Sequence, residues 1–446
     1  MATLQSLPEH AIQFIAEYFS TADFFAFRQT CRDMNAKTFS TFGHTFFRTR
    51  YVMLERGSLD TLIRISEDPF LGSEVCTLGI CTKRLLDSDE PFNAKPPFWS
   101  TPIEDSGSDD SDFWHGRGTE PRFDDSNDGD IFDSSYADIR CQYFEDQEDY
   151  VSDHDVDALT RAMSRLHNCK TLVLTDVEAS WEAQQLAWEA GWLARGPACD
   201  RHDHQPFLKR VLNVMLTAAK ASGLPVEEFG IYLGYPDEHN RTYPMSFHLL
   251  DSPPKCMIKS GLEGGLASVT TLRLLTCPPG EVAMGEVDWV PNFRRFLGFF
   301  PKLSHFSLAF EDEFDDHTAF PGLSSALSIV QLQRLELAHL EVTEGELAEL
   351  FLHHRSTLHD VTLRGVNLYG SRRWIRLLGK VRQIPELRSM HLKGCLLSVV
   401  YFSGEVDSHE IDEVCLRSQQ DYEGLIAKME ELIATVVLDE EMELGY

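Results

Sequence analysis

Positive charge is scarce in this sequence: 40 Lys and Arg stand against 71 Asp and Glu, a formal net charge of −31 over 446 residues. That balance argues against a nucleic-acid-binding surface, which needs a basic footprint. No apolar run reaches the roughly 18–20 residues a membrane helix requires. The opening MATLQSLPEH has neither the basic stretch nor the apolar core of a signal peptide. The 10 cysteines are scattered, with no CxxC pair, a pattern that suits reduced thiols in the cytosol or nucleus and not a disulfide framework. Catalytic signatures are missing as well: GxxxxGK, GxGxxG, HExxH and GxSxG are all absent. Asp124–Ser135 begins like an EF-hand loop but ends on Ser135 where a bidentate Glu is required, and no amphipathic helices flank it. Cys199, His202 and His204 have no partner pair at zinc-finger spacing. Neither a metal nor a cofactor is expected, and the chain does not read as an enzyme.

What the sequence does have is an apolar, helical start. In Leu4–Arg50, Pro8 suits the first turn of a helix, where its missing N–H costs nothing, and Ser6 is a candidate N-cap. Ile12, Ile15, Ala16 and Phe19 then fall at i, i+3, i+4 and i+7 on one stripe. Ala11, Phe14 and Tyr18 lie on a second face of the same helix. A following helix, capped by Thr21 or Asp23, places Phe24, Phe27, Cys31 and Met34 on one side and Phe25 elsewhere. A unit this small is near the lower limit for folding alone. Apolar residues on more than one face point either to a partner protein or to packing against the rest of the chain.

The ordered series Leu7-Pro8, Ile12, Ile15, Tyr18-Phe19, Asp23-Phe24, Phe27-Arg28 and Thr30-Cys31-Arg32 resembles the F-box, and residues 46–66 resemble the segment just after the F-box in many fungal members. The pattern departs at His10, where a Glu is usual, at Ala11, which replaces a larger aliphatic, and at Phe19, which replaces a Leu. The resemblance implies a receptor subunit of an SCF-type ubiquitin ligase, whose F-box docks on an Skp-family adaptor and through it a cullin. Leu7, Pro8, Ile12, Ile15, Phe19 and Phe24 are then the adaptor-facing or adaptor-supporting set.

Between Glu104 and Asp157 there are 19 acidic residues against Arg117, Arg122 and Arg140, a net of −16. Such a density of like charge predicts a disordered acidic insertion over residues 87–157. Beyond it, strand-like runs recur: Leu172–Leu174, Phe229–Ile231, Leu272–Leu274, Phe306–Leu308, Leu335–Leu337, Val361–Leu363 and Met390–Leu392. Their ends are 57, 43, 34, 29, 26 and 29 residues apart, and the later spacings approach the roughly 20–29 residues of leucine-rich repeats. Helical patterns lie between them at Trp181–Leu193, Phe207–Ala221, Leu347–Phe351 and Trp374–Val381, and Tyr422–Val437 reads as a capping helix.

The expected architecture is α+β and multidomain. It comprises an all-α F-box module (1–50), a helix–strand linker (51–86), the acidic insertion (87–157) and an irregular α/β leucine-rich-repeat-like solenoid (158–446). Strand side chains alternate between two faces. Arg273, Ser307, Glu336, Thr362 and His391, with Arg364 and Lys393 one step outside, should therefore line the partner-binding face. Of these, Arg273, Glu336, Thr362, Arg364, His391 and Lys393 are the candidate client-binding residues, and the last units present cations suited to an acidic or phosphorylated partner segment. The alternative function is a repeat scaffold acting outside any ligase.

Overall fold

The computed structural model describes residues 4–82, 152–175, 201–233, 250, 265–276, 289–310, 322–368, 372–400, 406–411 and 413–443. The acidic stretch 83–151, the calcium-loop match, the Cys199/His202/His204 side chains and the predicted helix Trp181–Leu193 lie outside them.

Four short helices come first: α1 (Glu9–Ala16), α2 (Thr21–Thr30), α3 (Arg32–Lys37) and α4 (Phe39–Phe47). A large sheet begins at once, through β1 (Thr49–Met53), α5 (Arg56–Glu67), α6 (Pro69–Glu74) and β2 (Thr77–Cys81). α5 stops at Glu67, just before Pro69, and Pro69 begins the next helix behind the N-cap Asp68, whose carboxylate accepts from the N–H of Phe70 and Leu71 at 2.9 Å. The chain continues through α7 (Ser152–Met163), β3 (Thr171–Thr175), α8 (Arg201–Ser222), β4 (Glu228–Tyr232), β5 (Thr271–Thr276), α9 (Trp289–Leu297) and β6 (His305–Phe310). Next come α10 (Leu323–Leu327), β7 (Arg334–Ala338), α11 (Glu344–His353), β8 (Asp360–Arg364), β9 (Asn367–Leu368) and α12 (Arg373–Val381). The last elements are β10 (Ser389–Lys393), β11 (Cys395–Val400), β12 (Val406–Ile411), β13 (Val414–Leu416) and α13 (Gln419–Glu443).

The main sheet has 10 strands in the order β1-β2-β3-β4-β5-β6-β7-β8-β10-β13. Every neighbouring pair is parallel except β10 with β13. Spatial order matches chain order, with no reversal. The fold is α/β with one open, mostly parallel sheet.

The fold departs from the expected boundaries in two places. The described part of the expected linker, residues 51–82, is no linker, because β1 and β2 are the first strands of the same sheet. Residues 152–157 are no part of a disordered insertion; they form the first turns of α7.

The same entry into each strand recurs through the backbone. The carbonyls of Arg48, Cys76, Lys170, Glu227, Thr270, Ser304, Gln333 and His359 each accept two consecutive N–H groups, the second from the first residue of the following strand, at 2.7–3.2 Å. An apolar residue three positions before the first buried strand residue is fully enclosed in most units: Val75, Cys169, Val226, Val269, Leu303, Leu332 and Leu358. Alternate strand residues such as Leu272/Leu274, Leu335/Leu337 and Val361/Leu363 point with them into one core. Successive helices pack side by side over that face, α5 on α7, α7 on α8, and α9 through α12 in series onto α13. The other face is left open, and its side chains from β5 to β10 are half-buried or exposed apart from the buried His305.

After β7, β8 and β10 the chain turns through left-handed residues His339 (φ 55°), Gly365 (φ 56°) and Gly394 (φ 62°). The glycines supply that turn without steric cost. Two of these turns lead on to β9 and β11, which form a second sheet in the order β12-β11-β9.

Candidate docking surfaces

The helical start is held by a few specific contacts. Ser20 caps α2, its hydroxyl accepting from the Asp23 N–H at 3.2 Å and donating to the Asp23 carboxylate at 2.7 Å. Thr21 and Asp23 are therefore not the N-cap; Asp23 completes the box from inside the helix. The apolar stripe Phe24–Phe27–Cys31–Met34 spans two helices, because Cys31 adopts an extended backbone (φ −163°, ψ 164°) between them. Ser6 does not cap α1 either: the N-cap is Pro8, without a side-chain bond. Lys37 secures that end instead, donating to the carbonyls of Gln5 (2.5 Å) and Leu7 (3.0 Å) and pairing with Asp33 (3.0 Å). Arg28 ties α2 to α3 and α4. Its guanidinium bonds Asn35 Oδ1 at 2.8 and 3.0 Å and lies 3.6 Å from the centre of the Phe42 ring, and burial lowers its pKa.

Around this frame the six adaptor candidates separate. Ile12 and Phe24 are core residues, Leu7, Ile15 and Phe19 are half-buried, and Pro8 is exposed. The most open apolar side chains are two that the sequence placed only on a second face: Phe14 (59% exposed) and Tyr18 (75%), which meet edge-on with centroids 5.3 Å apart. Of seven large exposed apolar residues among those described, Leu4, Phe14, Tyr18, Phe25 and Phe39 belong to this module. Among the described residues, exposed apolar side chains are thus concentrated in the helical start.

The second surface is the open sheet face. Register aligns Gly230, Arg273, Ser307, Glu336, Thr362, His391 and Cys415 in one row across it. The six client candidates fall into two groups. Arg273 and Glu336 bond each other across Ser307 (Nη1–Oε2 3.0 Å), while Arg273 Nε also reaches Glu228 at 3.0 Å. Two strand spacings, roughly 10 Å, are bridged by these two long side chains. His305 Nε2 stands 3.1 Å from the other Glu336 oxygen. Tyr232 folds over Gly230, where a Cβ would come within 2.7 Å of the ring.

At the far end, His391 is the register partner of Thr362, and Lys393 that of Arg364. Lys393 pairs with Glu413 at 3.3 Å, His391 Nε2 is 3.4 Å from Cys415 Sγ, and Arg364 is exposed. His391, Lys393, Thr362 and Arg364 share a corner; Arg273 and Glu336 are spent on each other.

His305 first, then Arg273, hold the Glu336 carboxyl down at about 2 against the opposing effect of burial. A depressed carboxylate contributes stability above its unfolded pKa, about 4.3, and loses it as pH falls through the folded value. Glu336→Gln should therefore destabilise the protein by about 1–2 kcal/mol at pH 7. In urea unfolding the gap to wild type should close between pH 4.5 and about 2; a gap constant over that interval contradicts the assignment.

Among the described residues no group of His, Cys, Asp and Glu is arranged to hold a metal, and no helix is long and apolar enough to cross a membrane. No protein-family model matches the chain, and no curated protein is significantly similar to it.

Proposed function

We propose that the chain is the client-receptor subunit of an SCF-type ubiquitin ligase. Its helical start acts as an F-box that docks on an Skp-family adaptor and through it a cullin. The sheet and helices after it act as a leucine-rich-repeat-like solenoid whose open face binds a client protein. The observation that carries the reading is the concentration of exposed apolar side chains in the helical start, on a segment whose residue order resembles the F-box. The chain-ordered parallel strands and the recurring strand entry support the repeat reading. In this role the protein contributes no chemistry of its own; it brings a client lysine near a ubiquitin-loaded enzyme, in the cytosol or nucleus.

Capture from cell extract tests it. The wild-type chain should bring down an Skp-type adaptor and cullin, and Leu7→Ala with Pro8→Ala should lose both. Wild type that captures neither rules the ligase reading out. The departures at His10, Ala11 and Phe19 favour the second reading, a repeat scaffold outside any ligase, and clients recovered without adaptor would establish it. For the client face, Arg364→Glu with Lys393→Glu should cut recovery of client at least fivefold, of order 1 kcal/mol, while leaving adaptor capture intact. Unchanged client recovery excludes that corner as a contact.

A further inference from the structure

His391 of β10 and Cys415 of β13 sit opposite each other in an antiparallel pair, both half-buried on the open face, with Sγ and Nε2 3.4 Å apart. That is the arrangement of a nucleophile beside its base. Two positive side chains share the face one step along: Lys393, which also meets Glu413 at 3.3 Å, and its register partner Arg364. Other thiols of the fold are placed differently. Cys81, Cys169 and Cys395 are buried, and burial pushes Cys169 up to about 12 and Cys395 up to about 11. The Met34 backbone N–H first, then the Gln5 amide at 3.5 Å, lower the pKa of Cys31, which has no base beside it among the described residues.

We propose that Cys415 is a reactive thiol, with His391 as its proton acceptor, and that a small peroxide oxidises it to a sulfenic acid. The Cys415 S–H proton passes to His391 Nε2, and the thiolate attacks one peroxide oxygen. An S–O bond forms as the O–O bond breaks, and the departing hydroxide takes the proton back as water. Sulfur is oxidised by two electrons and the peroxide is reduced by two. The inference does not depend on the ligase reading.

The test treats the intact protein with hydrogen peroxide in the presence of dimedone and tracks each cysteine peptide by mass. Cys415 should be trapped about tenfold faster than the half-buried Cys76. His391→Phe, which keeps a ring and removes the base, should abolish that advantage while circular dichroism stays unchanged; His391→Gln provides the same comparison if the Phe variant fails to fold. Trapping of Cys415 no faster than Cys76, or undiminished in a folded His391 variant, overturns the proposal.

Discussion

Arg210→Ala is expected to cost about 3–5 kcal/mol of stability. Asp155, near the start of α7, is 1% exposed and is paired at 2.8 Å with Arg210 of α8. Burial raises the Asp155 pKa against the opposing pull of Arg210, so desolvation outweighs the pairing. The second carboxylate oxygen is buried with no hydrogen-bond partner among the described residues. Truncating the arginine leaves an uncompensated charge between two helices of the core layer. Asp155→Asn removes that charge, and Arg210, about a third exposed, finds water; this change should cost less than about 1 kcal/mol. The asymmetry is read from urea unfolding of the two variants at pH 7. Equal losses would mean the pair acts through shape and not through buried charge. By contrast, Arg161 and Arg165 pair with Glu67 on the surface, where such contacts contribute little.

A second large effect belongs to His354, which is 2% exposed just after α11 and whose Nε2 is buried without a hydrogen-bond partner among the described residues. Burial first, then the neighbouring His353, lowers its pKa to about 4. The folded state resists the proton that an unfolded imidazole accepts near pH 6.5. Stability is therefore complete above about pH 6.5 and falls as pH drops toward about 4, by up to about 3 kcal/mol. His354→Phe, which carries no proton and keeps a ring, should flatten that stretch of the stability–pH curve. Parallel curves for the two proteins between pH 6.5 and 4 would show that His354 takes its proton freely in the fold.

Much of the sheet is readable from sequence because its strands are short apolar runs cut off by turns. All seven runs beyond the acidic stretch fall within β3–β8 and β10, and Tyr422–Val437 lies within α13. β1 is not readable: Thr49–Met53 comes after a helix without a turn signal, and its five residues carry no alternation to separate them from the residues before. The break at Cys31 is hidden because the helical apolar period continues across it. A usable signal that pattern reading passes over is the enclosed apolar residue two positions before most strands, such as Val75, Val226 and Leu358.

The site is legible in kind but not in detail. Periodicity finds two apolar faces on α1 without telling which is covered, so buried Ile12 and exposed Phe14 look alike. On the open face, alternation correctly brings Arg273 and Glu336 to the same side. It does not show that they satisfy each other across Ser307.

Whether the exposed surface of the helical start docks on an Skp-family adaptor, as proposed, is decided by calorimetric titration of the purified full chain with purified adaptor. The account predicts saturable one-to-one binding at micromolar affinity or better. Phe14→Asp with Tyr18→Asp, at positions already in water, should weaken that binding at least tenfold, about 1.4 kcal/mol, with no change in thermal unfolding. No heat of binding with wild type, or equal affinity for the double variant, would contradict it.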